Sequence, residues 1–541
     1  MISEVMADPT PAAGLPESEY IELYNTLTGE VDLSGWSVAY RGHRFTLDST
    51  MLPARSWLIL CPARHAVAFA KYGQVYGVEK MASVRNQGAW ITLLDGQGRI
   101  ISFVDYTDTW YSDDYKKQGG WSLEQVDPFN PCGGSGNWLV SRATEGGTPG
   151  QANSVAAENS DWQQPELTGL GMPDTTTLAV HFSEPMHVSE TCLPGQYVLG
   201  EKTTPDSVAF ITPGMQTVLL FFSTPFPAHA PCRLTLGKRL MDCAGNLLGG
   251  ERQAVFEVPS RSQPGDWIIN EVLFNPWPGG SDYIELYNRS GRFLDLAELY
   301  VRAGSSGNLR TAAVAPVSRL VPPATYVVLT DRPAVVEQHY LVGDPDRLLA
   351  VTGLPAMPDK AGELLLLDSS LQLIDHMTYN ETMHFPLLSS SEGVALERIH
   401  FQGASNDPAN WHSASQACGW GTPTWKNSQF ILADKQPAPF SLAPEVFSPD
   451  NDGLNDALHI RYRFAKPGRV VTVRIYDSRG RLVRLLVNNQ AVGTEGTFVW
   501  DGRDGRKKAV RRGIYLLEAE VYRLTGTLRQ YRFACVVGTR L

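Results

Sequence analysis

Short stretches in which apolar and polar residues alternate run the length of the chain, each soon broken by Gly, Pro, Asn or Asp. A period of two puts every second side chain on one face, the signature of a half-buried strand. Candidate strands fall at 19–24, 36–40, 56–60, 90–94 and 100–104, with Asp95-Gly96 and Gly98 marking a turn. The pattern returns at 178–182, 218–222, 469–476, 497–500, 513–522 and 530–537. Long stretches with helical periodicity are hard to find. The expected fold class is all-β, a chain of tandem β-sandwich domains.

One stretch occurs twice. Tyr20-Ile21-Glu22-Leu23-Tyr24-Asn25 returns letter for letter as Tyr283-Ile284-Glu285-Leu286-Tyr287-Asn288. Upstream, Ile2-Ser3-Glu4-Val5 matches Ile269-Asn270-Glu271-Val272. Downstream, Ser122-Leu123-Glu124 matches Ala395-Leu396-Glu397, and Asn137-Trp138 matches Asn410-Trp411. Gly147-Thr148-Pro149 with Asn153-Ser154 then matches Gly421-Thr422-Pro423 with Asn427-Ser428. The landmarks keep their order, so a domain of about 150 residues is duplicated.

These landmarks, with Asp32-Leu33-Ser34-Gly35-Trp36, resemble the bacterial lamin tail domain, which implies an Ig-like β-sandwich over residues 1–154. The segment 105–121, followed by Asn130-Pro131-Cys132-Gly133, resembles the version found in secreted multidomain proteins of Bacteroidota. Leu33 and Trp36 are expected to plug the sandwich, with Gly35 permitting the turn between them. Residues 266–429 form a second, degenerate copy, in which Asp295-Leu296-Ala297-Glu298-Leu299 replaces the Asp-Leu-Ser-Gly-Trp element. Between the copies, residues 160–259 resemble the bacterial Ig-like domain of surface-layer proteins. Phe182-Ser183-Glu184-Pro185 and Asp242-Cys243-Ala244-Gly245-Asn246 carry that likeness, and Cys232 departs from it.

A Pro-containing spacer at 434–439 leads to residues 440–541. There, Ser448-Pro449-Asp450-Asn451-Asp452-Gly453, Val473-Arg474-Ile475-Tyr476-Asp477 and Trp500-Asp501-Gly502 resemble the Ig-like domain of the flagellar hook-capping protein. They also resemble the C-terminal sorting domains of type IX secretion cargo. The resemblance implies export to the extracellular space or outer-membrane surface, with secretion machinery as the partner of this last domain.

Composition sharpens the picture. The whole chain is acidic, with 46 Lys+Arg against 57 Asp+Glu, but residues 440–541 alone carry 18 Lys+Arg against 10 Asp+Glu. An acidic body argues against nucleic acid as a partner. No apolar run is long enough to span a bilayer, so no transmembrane segment is expected. Met1 leads straight into a strand pattern with no secretory leader, which fits either a cytosolic chain or one that begins at a mature end. The seven Cys include no CxxC pair. Cys232 and Cys243 are close enough in sequence to bridge across neighbouring strands, and buried thiols are the alternative.

Enzyme signatures are missing: no HExxH, GxSxG, Walker A or GxGxxG occurs. Glu4 with Glu22, and Glu271 with Glu285, are the carboxylate pairs that recur; hydrogen bonds or salt bridges at the strand rim account for them better than catalysis. Asp450, Asp452, Asn455 and Asp456 supply oxygens of the kind calcium takes, but Leu454 and the missing distal Glu exclude an EF-hand. Asx-turn chemistry explains the same residues. Trp110, Tyr111, Tyr115 and Trp121 form an aromatic stretch that either stacks on glycan rings or folds back over its own sandwich. Arg503, Arg506, Lys507, Lys508, Arg511 and Arg512 flank a hairpin turn, either as a solvated run or as a dock for lipopolysaccharide phosphates or an acidic partner. The function expected is a non-catalytic surface or secreted scaffold or adhesion protein with surface-protein or glycan partners. The alternative is a glycan- or polymer-binding protein that uses the aromatic stretch.

Overall fold

The computed structural model describes residues 1–541 except 112, 131–133, 160, 212–213, 229, 432–437, 525 and 539–541. Most of the expected spacer, 434–437, and Pro131-Cys132-Gly133 therefore lie outside the described residues. The chain divides into two compact units, Met1–Val255 and Phe256–Leu541.

In the first unit, strands Trp138–Val140, Leu123–Gln125, Ile2–Met6, Tyr20–Tyr24, Trp57–Pro62 and Gln74–Val78 form one sheet in that order. Neighbours run antiparallel except the last two, which are parallel. A second sheet orders Ile100–Thr107, Gly88–Leu94, Ser37–Tyr40 and His43–Thr46. Alternation sends Val5, Ile21, Leu23, Leu60 and Leu123 between the sheets, against Val38, Ile91, Leu93 and Val104. Burying each such Leu, Ile or Val contributes roughly 2 kcal/mol. Leu33 sits inside this core, Trp36 packs at its edge, and Gly35 makes the turn between them at φ 80°.

The rest of this unit pairs a sheet of Leu167–Asp174, Thr177–Phe182, Thr217–Phe221 and Ser207–Ile211 with one of Tyr197–Leu199, Cys232–Leu236 and Gln253–Phe256. Leu178, Val180, Tyr197, Val218, Leu220 and Leu234 are buried. Cys243 is disulfide-bonded, while Cys232 stays a buried thiol beside the Ala230 carbonyl. Of the two alternatives for this pair, the bridge between Cys232 and Cys243 does not form.

The second unit repeats the first architecture. Its six-stranded sheet orders Leu348–Ala350, Tyr326–Thr330, Tyr283–Asn288, Trp267–Leu273, Leu396–Arg398 and Trp411–Ser413. A four-stranded sheet of Asn308–Ala313, Leu299–Ser305, Ala361–Asp368 and Leu373–Asn380 faces it, with Ile269, Ile284, Leu286, Leu364 and Leu366 in the core between them. Both copies carry a register shift at one place, between Ile2 and Glu4 and between Ile269 and Glu271.

The chain ends in a three-stranded sheet (Phe440–Ala443, Leu458–Arg463, Glu495–Trp500) over a five-stranded one (Val446–Phe447, Leu528–Val537, Gly513–Arg523, Arg469–Asp477, Leu482–Val492). Phe447, Trp500 and Tyr515 meet edge to face at its centre. This last sandwich is bonded to the preceding copy. Thr494 N donates to Ser428 O at 2.8 Å, and its hydroxyl donates to Phe430 O at 2.7 Å.

Candidate functional site

The recurring carboxylates sit in the middle of each six-stranded sheet. Glu4 lies directly across from Glu22 on one neighbouring strand and from Glu124 on the other. Glu271 relates in the same way to Glu285 and Glu397. The six point away from the inter-sheet core, where alternation alone would expose them, yet all are fully buried. Of the hydrogen bonds or salt bridges expected between strands, hydrogen bonds form and salt bridges do not among the described residues, and they lie under chain that folds back over this face instead of at an open rim.

The covering segment is the Gly-Thr-Pro landmark. Glu4 Oε1 accepts from Tyr20 Oη at 2.6 Å, Ser122 Oγ at 2.5 Å and Thr148 N at 2.8 Å. Glu22 accepts from Gly150 N at 2.6 Å, and Glu124 from Ser154 Oγ at 2.7 Å. In the second copy Glu271 accepts from Tyr283 Oη at 2.5 Å and Thr422 N at 2.9 Å. Glu285 accepts from Thr424 N at 2.6 Å, and Glu397 from Ser428 Oγ at 2.8 Å. Asn153 and Asn427 fasten the same segments to strand carbonyls of Ser3 and Asn270. The repeated landmarks are thus the members of one network.

No Lys or Arg side chain bonds to these carboxyls among the described residues. Thr422 Oγ1 lies 2.7 Å from Glu271 Oε2 and 2.8 Å from Glu397 Oε1. One hydroxyl has one hydrogen, so the second contact needs a protonated carboxyl as its donor. Burial, then the charge of Glu124, pushes Glu4 up to about 7. Burial, then Glu271, pushes Glu397 up to about 8. Glu22 and Glu285 are raised well above the usual carboxylate range, first by burial and then by Glu4 and Glu271 respectively. Glu4 and Glu397 are thus raised into the range of acid–base catalysts, but both are fully buried. A sealed carboxyl cannot pass a proton to a substrate, and what the network does is hold the closing segment.

The other expected sites are placed as follows. Trp110, Tyr111 and Trp121 lie half-buried against the first core; Trp110 packs on Trp138, and Tyr111 Oη donates to Trp121 O at 3.0 Å. Lys116 caps the Trp121 ring at 4.1 Å, and only Tyr115 stands clear, 71% exposed. The four rings share no open face. Asp450, Asp452 and Asp456 bring carboxylate oxygens within 4.8 Å of one another. Asp456 caps Asn451 N and Gly453 N at 2.6 and 2.8 Å, and Asp452 caps Leu454 N at 2.9 Å. Asn455, at φ 55°, gives its carbonyl to Ser448 N. Turn chemistry thus engages every residue proposed for calcium. Arg503, Arg506, Lys507, Lys508, Arg511 and Arg512 are all exposed on the crossover from Glu495–Trp500 in one sheet to Gly513–Arg523 in the other, where an antiparallel bridge between Arg503 and Ala509 makes a short hairpin.

One cluster escaped the sequence reading. Asp161, Glu184 and Asp242 also converge within 4.8 Å. Burial, then Asp161 and Asp242, pushes Glu184 up to about 7. The Ser-Glu-Pro and Asp-Cys-Ala-Gly-Asn landmarks contain two of the three; what hid the cluster is that Asp161 precedes the first strand of that sandwich. Asp242 holds Asn246 through both carboxylate oxygens, which accounts for it as a turn residue.

These sandwiches, closed by their own chain, define a class of modular Ig-like proteins. The lamin tail domain family matches residues 1–108, and the CHU_C type IX secretion signal domain matches residues 441–530. The second match marks a secreted or cell-surface protein. Neither matched family is catalytic. Among solved structures, the chain is similar to FlgD from P. aeruginosa (23% identity, 15% of this chain and 62% of that one, TM-score 0.13). It is also similar to the N-terminal part of the bacterial S-layer protein SbsC (16%, 31% and 40%, TM-score 0.16). A third is dimeric latent PorU from Porphyromonas gingivalis (10%, 75% and 35%, TM-score 0.15). The chain spans less than two thirds of the length of each of these three. No curated protein matches it. No helix among the described residues is long and apolar enough to cross a membrane.

Proposed function

We propose that this chain is a non-catalytic scaffold of the cell surface, whose four successive β-sandwich domains space and present one another. The domains are residues 1–154, 160–259, 266–429 and 440–541, and the last serves as the module that the type IX machinery reads. The observation that carries the reading is the sealed carboxyl network. The buried carboxyls of both repeats are engaged in closing the fold. The secretion-signal match over 441–530 supports the sorting role.

Deleting residues 440–541 and fractionating the cells tests that role. The truncated chain is expected to stay inside the cell, and unchanged surface delivery would refute sorting by this domain. A glycan array probed with the full chain tests the scaffold reading against glycan binding. Binding lost in Tyr115→Ala would replace scaffold with lectin.

A further inference from the structure

The outward face of the terminal five-stranded sheet changes character along its length. In Gly513–Arg523 the inward positions Tyr515, Leu517 and Ala519 are buried, as alternation requires. Outward, Glu518 pairs with Arg532 at 2.8 Å, and Glu520 with Arg474 at 2.5 Å. This is the charged ladder expected of a solvated sheet. Toward the Gly513 end the ladder stops, and Ile514 and Leu516 take the outward positions, 62% and 39% exposed. Ile514 is in register with Val536, which is in register with Val446 on the edge strand, 37% exposed. On the other side Leu516 is in register with Tyr476, and Tyr476 with Leu482, 55% exposed. An apolar row therefore crosses all five strands at one end of the sheet. Nothing in the sandwich core requires it.

The basic hairpin stands at that same end. Gly505 N donates to Val483 O at 3.0 Å, beside Leu482, and Tyr515 Oη donates to Arg511 O at 2.6 Å, beside Ile514. Trp500 Nε1 holds the hairpin through Arg503 O at 2.9 Å. Arg503 is engaged by Asp501. Arg506, Lys507, Lys508, Arg511 and Arg512 are exposed and make no ion pair with a described residue. The Asp504 carboxylate within the hairpin is committed to the backbone N–H groups of Arg506 and Lys508, both at 2.9 Å.

We infer that this end of the last sandwich docks on an anionic lipid surface, the hairpin cations meeting headgroup phosphates and the apolar row entering the headgroup boundary. A solvated charge run would need no apolar row beside it, and a soluble acidic partner would need no row that spans a whole sheet. Juxtaposed cations and exposed apolar side chains fit a surface that is both anionic and apolar. The inference stands apart from the sorting role, because purified protein and lipid contain no secretion machinery.

The test is sedimentation of the full chain with vesicles of phosphatidylglycerol and phosphatidylcholine, against vesicles of phosphatidylcholine alone. Binding is expected only to the anionic vesicles and is expected to fall as salt rises. The triple variant Arg506→Gln, Lys508→Gln, Arg512→Gln should bind at least about tenfold more weakly. The double variant Ile514→Ser, Leu516→Ser should lose about tenfold as well. All five positions are exposed, and unchanged circular dichroism would show that both variants fold. Absence of binding, equal binding to neutral vesicles, or unchanged binding by the double variant would each overturn the inference. Equally tight binding of the full chain to duplex DNA would also overturn it, reducing the hairpin to a general polyanion site.

Discussion

Glu4 and Glu22 lie side by side on neighbouring strands, fully buried, and no basic side chain among the described residues answers either charge. Glu271 and Glu285 repeat the relationship. A buried pair of this kind persists only if protons are shared and the remaining oxygens are bonded. Tyr20, Ser122, Thr148 and Gly150 supply those bonds in the first copy.

The pairs make stability fall as pH rises. Their folded-state pKa values are raised, so their contribution is complete below the ordinary carboxylate value of about 4.3. It is lost as pH climbs through about 7 for Glu4 and about 8 for Glu397. Within that window each group costs up to about 1.4 kcal/mol per pH unit. Thermal unfolding of the full chain should show transitions of the two repeats that are highest near pH 5 and fall toward pH 8, roughly following this window. Glu22→Gln should flatten the slope of the first copy. A profile that rises over this range would rule out the protonated network.

Gly147 and Gly421 are expected to tolerate no side chain. A Cβ at Gly147 would lie 2.5 Å from Tyr20 Oη and 2.7 Å from Glu4 Oε1, and one at Gly421 would lie 2.7 Å from Tyr283 Oη. Replacement by Ala should destabilise the affected copy by roughly 1–3 kcal/mol. Gly29→Ala, whose Cβ meets nothing within 4 Å, is the control. Denaturant titration followed by hydrogen exchange at Ile2–Met6 and Trp267–Leu273 would assign each loss to its copy.

Trp500 ties the terminal core to the basic hairpin. Trp500→Ala should cost about 3–5 kcal/mol and unfold the last sandwich first. Trp500→Phe keeps most of the packing and removes only the bond to Arg503 O. It should leave the melting temperature within a few degrees while raising amide exchange across residues 503–510.

The joint between the second repeat and the last sandwich rests on backbone more than on charge. Glu495 pairs with Lys426 at 2.6 Å and Arg463 at 2.8 Å, all part-exposed. Glu495→Ala should therefore cost no more than about 1 kcal/mol. Gly493→Ala places a Cβ 2.4 Å from Ser428 O and should free the two sandwiches to melt separately. Calorimetry would register that as a split transition.

The loop at 450–456 is expected to need no metal, since its carboxylates already cap the loop N–H groups. EDTA should leave the melting of the last sandwich unchanged, and a stabilisation by calcium of several degrees would assign the loop to the ion instead.

Strand alternation and the doubled landmarks made the sandwiches and the copies legible without coordinates. They did not reveal what the landmarks do. Glu4, on a strand whose other residues are Ile2, Ser3, Val5 and Met6, reads as a solvent-facing residue, because a period of two describes one sheet and says nothing of chain that later covers its far face. Thr148 is 144 residues from the carboxylate it binds, beyond the reach of any local pattern. The aromatic stretch was ambiguous for a related reason: residue type is the same whether Trp110 meets Trp138 or water. The apolar row was hidden because Ile514, Leu516 and Leu482 come together only through strand register.

The strand that opens each repeat lies at the middle of its sheet, and the segment that seals it comes last. A growing chain therefore holds Ile2–Met6 without its partner Leu123–Gln125, and without the Thr148 clasp, until nearly the whole repeat exists. Contacts so distant form slowly, so the Thr148 clasp is expected to close as one of the last steps in folding that repeat, after the strands it covers have paired.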